Sequence, residues 1–324
     1  MAQAGKPRSG KAASTPTLVI IAGPTASGKS ALAMALARRL RGTVINADAM
    51  QCYRDLRVLT ARPTPDDEKT VPHRLYGVRA AAEPANAAWW RQAALDIIKK
   101  TKTPILCGGT GMYLSALLHG IAEIPDPGAA ARAQARALLA EIGAPALHAR
   151  LDPATAAKLR PNDSQRVARA YEVLAGTGTG LATWQSRPAE KLTGWRTKML
   201  LLDPPREDLH RAIAGRFAAM LEAGAVAEVQ NLLALNLDPA LPLLRAHGVP
   251  ELARYLAGDL SLQEAARRAI LSTQQYTKRQ ATWFRYQKLV ENAAMQIFHA
   301  RIEAEAQLSE SFLADLVNFI KAPG

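Results

Sequence analysis

The chain has 324 residues, 48% hydrophobic and 21% charged, with no apolar run long enough to span a bilayer, which excludes a membrane-spanning helix. Its 41 Lys and Arg outnumber 28 Asp and Glu, a net charge of +13, which points to a polyanionic partner because basic side chains gain by displacing counterions from phosphates. Only two cysteines occur, Cys52 and Cys107, not as a CxxC pair, which excludes a disulfide framework and a cysteine zinc site and predicts a reducing compartment.

Residues 1–16 are basic, without periodicity or an apolar segment of signal-peptide length, and are expected to be a disordered tail on a cytoplasmic protein. TLVIIA (17–22) is a short apolar run that reads as a strand, and apolar residues at helical spacing run from Ser30 to about Arg41. TVINAD (43–48) predicts a second strand, AAWWRQAALDIIKK (87–100) a helix and TPILCGG (103–109) a third strand. Strands alternating with helices predict an α/β fold with a parallel sheet flanked by helices. After Gly120 the chain becomes Ala-rich and strand-poor, broken by prolines at 125, 127, 145 and 153, which reads as an inserted all-helical domain. KMLLLD (198–203) predicts a strand returning to the sheet, residues 207–235 a pair of helices parted at Gly224, and 261–287 another long helix. The expected domains are a core from 17–120 and 198–287, an insertion over 121–197, and a C-terminal extension over 288–324 to which the pattern assigns no role.

The chemistry-bearing motif is Gly23-Pro24-Thr25-Ala26-Ser27-Gly28-Lys29-Ser30, set between the first strand and the first helix. Its glycines let backbone N–H groups turn inward around an anion at a helix N-terminus, Lys29 adds a point charge, and Ser30 is placed to hold Mg²⁺. This P-loop predicts phosphate binding and a P-loop NTPase-like core, but not phosphoryl transfer. A kinase or hydrolase needs a carboxylate for its metal at the end of a neighbouring strand, and the candidates are Asp48 and Asp203, since the third strand ends on glycines. At the C-terminal edge of a parallel sheet, where such folds bind ligands, Asp48 is open to three readings: metal ligand, general base or cap of the next turn. Gly108-Gly109-Thr110-Gly111 offers flexible backbone and one hydroxyl at the next strand's end.

Taken together, GPTASGKS (23–30), NADAMQCY (46–53), TARP (60–63), GGTGMY (108–113), NDSQRVARAYEV (162–173) and QYTKRQATWFR (275–285) resemble the tRNA dimethylallyltransferase family, in order across about residues 17–287. The resemblance implies transfer of the dimethylallyl group of dimethylallyl diphosphate to N6 of adenosine 37, beside the tRNA anticodon, with pyrophosphate leaving and Mg²⁺ assisting. It implies Asp48 as the base for the N6 proton, Thr110 near the leaving group, and Lys29 with Arg216 stabilising the diphosphate. It places Asp48, Ala49, Met50, Gln51 and Thr110 at the target base. It also implies RNA contacts from Gln165, Arg166, Val167, Ala168 and Arg169, from Lys278, Arg279, Gln280, Trp283 and Arg285, and from Arg132. Ser30 stands where many relatives carry Thr, and Ala49 where Ser is frequent. Partners are then tRNA, through its anticodon loop, and dimethylallyl diphosphate, for a monomer with no membrane association. The competing readings are a dimethylallyltransferase for free adenine nucleotides, a small-molecule kinase, and an RNA-binding protein with a vestigial phosphate loop. In the turn Arg245-Ala-His-Gly248, His247 reads as structural.

Overall fold

The apolar run TLVIIA becomes an interior strand of a six-stranded parallel sheet in the computed structural model, which describes residues 15–323. The disordered tail expected over 1–16 lies outside the described residues up to residue 14. In chain order the first elements are β1 (Thr17–Ala22), α1 (Lys29–Leu40), β2 (Thr43–Asn46), α2 (Pro65–Thr70), β3 (His73–Arg74), α3 (Ala87–Ile98), β4 (Pro104–Gly108) and α4 (Gly111–His119). Then come α5 (Gly128–His148), α6 (Pro153–Ala156), α7 (Ser164–Thr177) and α8 (Leu181–Gln185). The rest is β5 (Arg196–Leu202), α9 (Arg206–Glu222), α10 (Ala225–Leu233), α11 (Val249–Leu256), α12 (Leu262–Tyr286), β6 (Met295–Phe298) and α13 (Glu310–Lys321).

Contacts divide the chain into residues 116–192 and everything else, joins that fall earlier than the expected 120/121 and 197/198. At the second join the difference has a plain cause: β5 starts at Arg196, where Arg196 pairs with Thr17.

In the larger unit the strand order is β3-β2-β4-β1-β5-β6, every pairing parallel. A parallel sheet must be covered on both faces, and alternate residues of β1 go opposite ways. Val19 and Ile21, with Val44, Ile105, Cys107, Leu200 and Leu202, form one core with Leu32 and Leu36 of α1 and with Leu313, Leu316 and Ile320 of α13. Leu18, Ile20, Ile45 and Leu106, the intervening positions, are fully buried as well. A second core joins Tyr53 and Leu56 to Phe217 of α9, Val229 and Leu232 of α10, Leu252 of α11, and Ala265 and Ala269 of α12. Gly224, at φ 95°, turns the chain between α9 and α10 where the sequence placed the break.

The segment 288–324, without an expected role, supplies β6 at the sheet edge and α13 over α1. β6 is four residues long and half-exposed, too short for a periodicity to register, whereas α13 carries a buried stripe of Leu313, Leu316 and Ile320 that the sequence reading passed over.

In residues 116–192, α5 and α7 pack together, with Leu151, Ala170, Val173 and Leu181 at the core. Asp163 caps α7 by accepting from the Arg166 N–H at 3.2 Å. Gly143, at φ 74°, breaks α5 two residues before Pro145.

Candidate active site

The phosphate loop leaves β1 at Ala22 and enters α1 at Lys29. Gly23 has φ 145°, and a Cβ on it would lie 2.3 Å from the Leu202 carbonyl of β5, so close packing of the two strand ends requires glycine. Lys29 donates from Nζ to the Pro24 carbonyl at 2.6 Å, closing the loop on itself. Burial pulls its ammonium down to about 8, against the opposing pull of the Asp48 carboxylate, and the Arg216 guanidinium lowers it further. A cation held in this way has lost hydration and gains it back electrostatically when an anion arrives. Ser27 is fully buried, and its hydroxyl has no partner among the described residues. Ser30 is exposed, and its hydroxyl meets the Cys107 thiol, which burial raises to about 11 and so keeps neutral.

Asp48 follows β2 in a turn built by Asn46. The fully buried Asn46 side chain donates to the Asp48 and Leu75 carbonyls at 2.9 and 3.0 Å and accepts from the Asp48 N–H at 2.8 Å. Asp48 Oδ1 then accepts from the Met50 and Gln51 N–H groups at 3.0 and 3.4 Å, capping a short 3₁₀ turn. Of the three sequence readings of Asp48, the capping one is seen directly: Oδ1 caps the turn, and Oδ2 accepts no hydrogen bond from the described residues. Gln51 uses its amide on the carbonyls of Thr60 and Ala61 at 2.8 and 3.0 Å, bracing the TARP turn, and Met50 packs on the second core.

Thr110 joins these pieces. Its N–H donates to the Ala47 carbonyl at 3.1 Å and its Oγ1 accepts from the Ala49 N–H at 3.0 Å. Such an approach leaves no room beside Gly108, where a Cβ would meet the Ala47 backbone at 2.2 Å. Tyr276 of α12 shares side-chain hydrogen bonds with Thr110 and Gln280, and burial, with the Asp48 charge adding, pushes its phenol up to about 12. Tyr276 also stacks against His247 at 4.9 Å, and His247 Nδ1 lies 2.8 Å from Ser272 Oγ. The sequence reading did not single out Tyr276, although it lies in the QYTKRQATWFR block.

Half-buried Arg216 comes from α9. Burial lowers its pKa, the Asp48 carboxylate opposes that shift, and the Arg301 guanidinium adds to it, so both charged groups are its neighbours. Lys29, Arg216, Asp48 and Thr110 thus converge at the C-terminal edge of the sheet.

Of the α12 residues expected on an RNA face, Lys278, Arg279 and Arg285 are exposed. Arg279 lies over the Tyr276 ring at 5.6 Å, and Arg285 reaches Asp203 at 3.8 Å. Trp283 is half-buried against Gly111, where a Cβ would stand 2.1 Å from the indole. Gln280 differs from the expectation. It is 4% exposed, accepts at Oε1 from the Thr25 N–H at 2.8 Å and donates from Nε2 to the Gly109 carbonyl at 2.9 Å. Its amide bridges two loops inside the protein, and Tyr276 is a further side-chain partner.

In residues 116–192, Gln165 and Arg166 are exposed, while Arg169 and Ala168 are half-buried. Arg166 pairs with Asp163 at 3.5 Å and Arg169 with Glu172 at 3.2 Å. Arg132 pairs with Asp126. Val167 is fully buried, because on α7 it falls on the same stripe as Ala170 and Val173.

The donor set bears on the expected Mg²⁺. Among the described residues no three His, Cys, Asp or Glu side chains converge as a metal site. A single exposed hydroxyl beside an anion cradle fits a hard cation that takes most of its ligands from diphosphate oxygens and water.

The family model for IPP transferase matches residues 51–287, and that for isopentenyl transferase matches residues 16–83. A tRNA dimethylallyltransferase of Acidiphilium cryptum is 60% identical, over 97% of this chain and 98% of its own length. The crystal structure of a tRNA isopentenylpyrophosphate transferase from Bacillus halodurans superposes with a TM-score of 0.65 at 29% identity, covering 94% of this chain and 97% of the other. A eukaryotic dimethylallyltransferase acting on tRNA, at 24% identity, shares the fold with a TM-score of 0.75, over 94% of this chain and 78% of its own.

Proposed function

The chain belongs to the tRNA dimethylallyltransferase family, and from that premise we propose that it transfers a dimethylallyl group from dimethylallyl diphosphate to N6 of the adenosine just 3′ of a tRNA anticodon. In this reading the enzyme works as a cytoplasmic monomer. A stacked adenine cannot reach a prenyl donor held inside the protein, so the base leaves its stack to enter the site. There Asp48 Oδ2 accepts the N6–H while Oδ1 stays tied to the Met50 N–H, which fixes the carboxylate's direction. The N6 lone pair forms a bond to the allylic carbon as the carbon–oxygen bond to the diphosphate breaks. The N6 proton passes to Asp48, and the electron pair of the broken bond leaves on pyrophosphate.

The growing negative charge meets the loop N–H groups, Lys29 and Arg216. Ser30 would hold Mg²⁺, which supplies further charge neutralisation to the leaving group when bound. Thr110, tied to the Ala49 N–H, keeps the Asp48 turn against the loop that follows β4. The observation that carries the proposal is Asp48 itself: a carboxylate with one oxygen committed to the backbone and the other without a hydrogen-bond donor among the described residues, beside Lys29 and Arg216.

The test mixes the protein with unmodified tRNA and dimethylallyl diphosphate labelled in the prenyl group, without ATP. Label in the adenosine next to the anticodon is the expected result. Unlabelled RNA, under conditions where the tRNA binds, overturns the transferase assignment. Label in free AMP at an equal rate would favour the nucleotide-prenylating alternative instead.

A further inference from the structure

A phosphate loop that turns its N–H groups inward must turn carbonyls outward, and each buried carbonyl needs a donor. Here two successive carbonyls are met by two successive residues of the C-terminal segment. Arg301 donates from Nε to the Ala26 carbonyl at 2.9 Å, and the Ile302 N–H donates to the Ser27 carbonyl at 3.2 Å. The approach is close enough that a Cβ on Gly28 would stand 1.9 Å from the Ile302 carbonyl. The glycine of the motif thus makes space for this segment as well as for the turn, at φ 97°. Ala26, which no glycine relieves, sits at φ 65°, a left-handed conformation that an alanine holds only when its surroundings fix it.

The segment is itself anchored at both ends. β6 pairs with β5 before it, and after it α13 packs on α1, with Arg38 bound to Glu305 and Arg39 to Glu310. Arg301 is one-quarter exposed and directs Nη1 to Glu303 at 2.8 Å, while Nε faces the loop. Its charge is near enough to Arg216 to lower that residue's pKa.

We propose that Arg301 is a positioning residue of the diphosphate site, holding the phosphate loop in its anion-binding form through the Ala26 carbonyl. The inference rests on the diphosphate reading of the loop given above. It assigns a role to a part of the chain where the motifs gave none.

The experiment measures binding of inorganic pyrophosphate with Mg²⁺ by calorimetry for the full-length wild type, Arg301→Ala, Arg301→Lys and Glu303→Ala, beside tRNA affinity and steady-state kinetics. A charged hydrogen bond of this kind sets the expected loss for Arg301→Ala at about ten-fold in pyrophosphate affinity and in the KM for the prenyl donor. tRNA affinity should stay within about three-fold, because positioning of one loop leaves a polyelectrolyte surface intact. Arg301→Lys keeps the charge and loses the planar Nε donor, so it should recover little of the loss. Glu303→Ala removes only the outward partner and should bind pyrophosphate as the wild type does.

Unchanged pyrophosphate binding in Arg301→Ala would overturn the proposal, and so would equal losses of pyrophosphate and tRNA binding, which mark general unfolding. Full recovery in Arg301→Lys would also overturn it, assigning the effect to charge alone. A wild type that binds pyrophosphate but prenylates no tRNA would sink the transferase assignment and leave this inference standing.

Discussion

Replacing Gln280 by alanine separates an internal strut from an RNA contact. The side chain is 4% exposed and ties together the backbone of two loops, accepting from the Thr25 N–H at 2.8 Å and donating to the Gly109 carbonyl at 2.9 Å. Each such bond contributes about 1–1.5 kcal/mol net, and truncation leaves both backbone partners short of one, so the expected loss is about 2–4 kcal/mol after allowing for water entering the gap. For a domain of this size that corresponds to roughly 5–10 °C in the melting temperature. Because Thr25 belongs to the phosphate loop and Gly109 precedes Thr110, pyrophosphate affinity should fall by about three- to ten-fold, that is by roughly 1 kcal/mol. tRNA affinity should change by less than about three-fold, since a buried amide offers RNA nothing to lose. Gln280→Glu is the control of equal shape: a carboxylate oxygen would replace Nε2 beside the Gly109 carbonyl, acceptor against acceptor, and should destabilise at least as much. Thermal unfolding, pyrophosphate calorimetry and filter binding of tRNA give the three readouts. A tRNA affinity reduced more than about ten-fold at an unchanged melting temperature would refute this reasoning and return Gln280 to the RNA surface.

Asp48→Asn keeps an oxygen to accept from the Met50 N–H and removes the base, so single-turnover transfer should fall by about 10²–10⁴ with stability and tRNA affinity nearly unchanged. A comparable loss of tRNA binding would make Asp48 a recognition residue instead. Lys29 gives a pH dependence of defined sign: its pKa of about 8 in the free protein lies below its ordinary 10.5, and a bound anion favours the charged form. Pyrophosphate binding should therefore take up a proton between those two values and weaken as pH rises through 8. Calorimetry at pH 9 in buffers of different ionisation enthalpy measures this uptake, and its absence would place Lys29 outside the anion's field. Gly111→Ala drives a Cβ to within 2.1 Å of the Trp283 ring and should destabilise by about 1–3 kcal/mol, read by denaturant unfolding. An unchanged midpoint would show that α12 is free to move from the GGTG loop.

The sequence by itself determined the local chemistry. The apolar run before Gly23, the glycines and lysine of the loop, and the helical spacing after Ser30 specify strand, anion cradle and helix within some twenty-five residues, because backbone geometry and side-chain periodicity act over that range. Asp48 was legible for the same reason, as a carboxylate at the end of a short apolar strand. Tertiary structure decided which distant residues complete the site. Gln280 meets Thr25 across 255 residues of sequence, and Arg301 meets Ala26 across 275. Nothing local marks either: Gln280 lies in a Lys-Arg-Gln run that reads as solvated, yet it shares the buried stripe of α12 with Thr277 and Phe284. A polar side chain on a buried stripe is stable only where a donor and an acceptor wait for it. Those partners are the two loops that the parallel sheet brings together at the ends of β1 and β4, which only the folded arrangement of strands supplies.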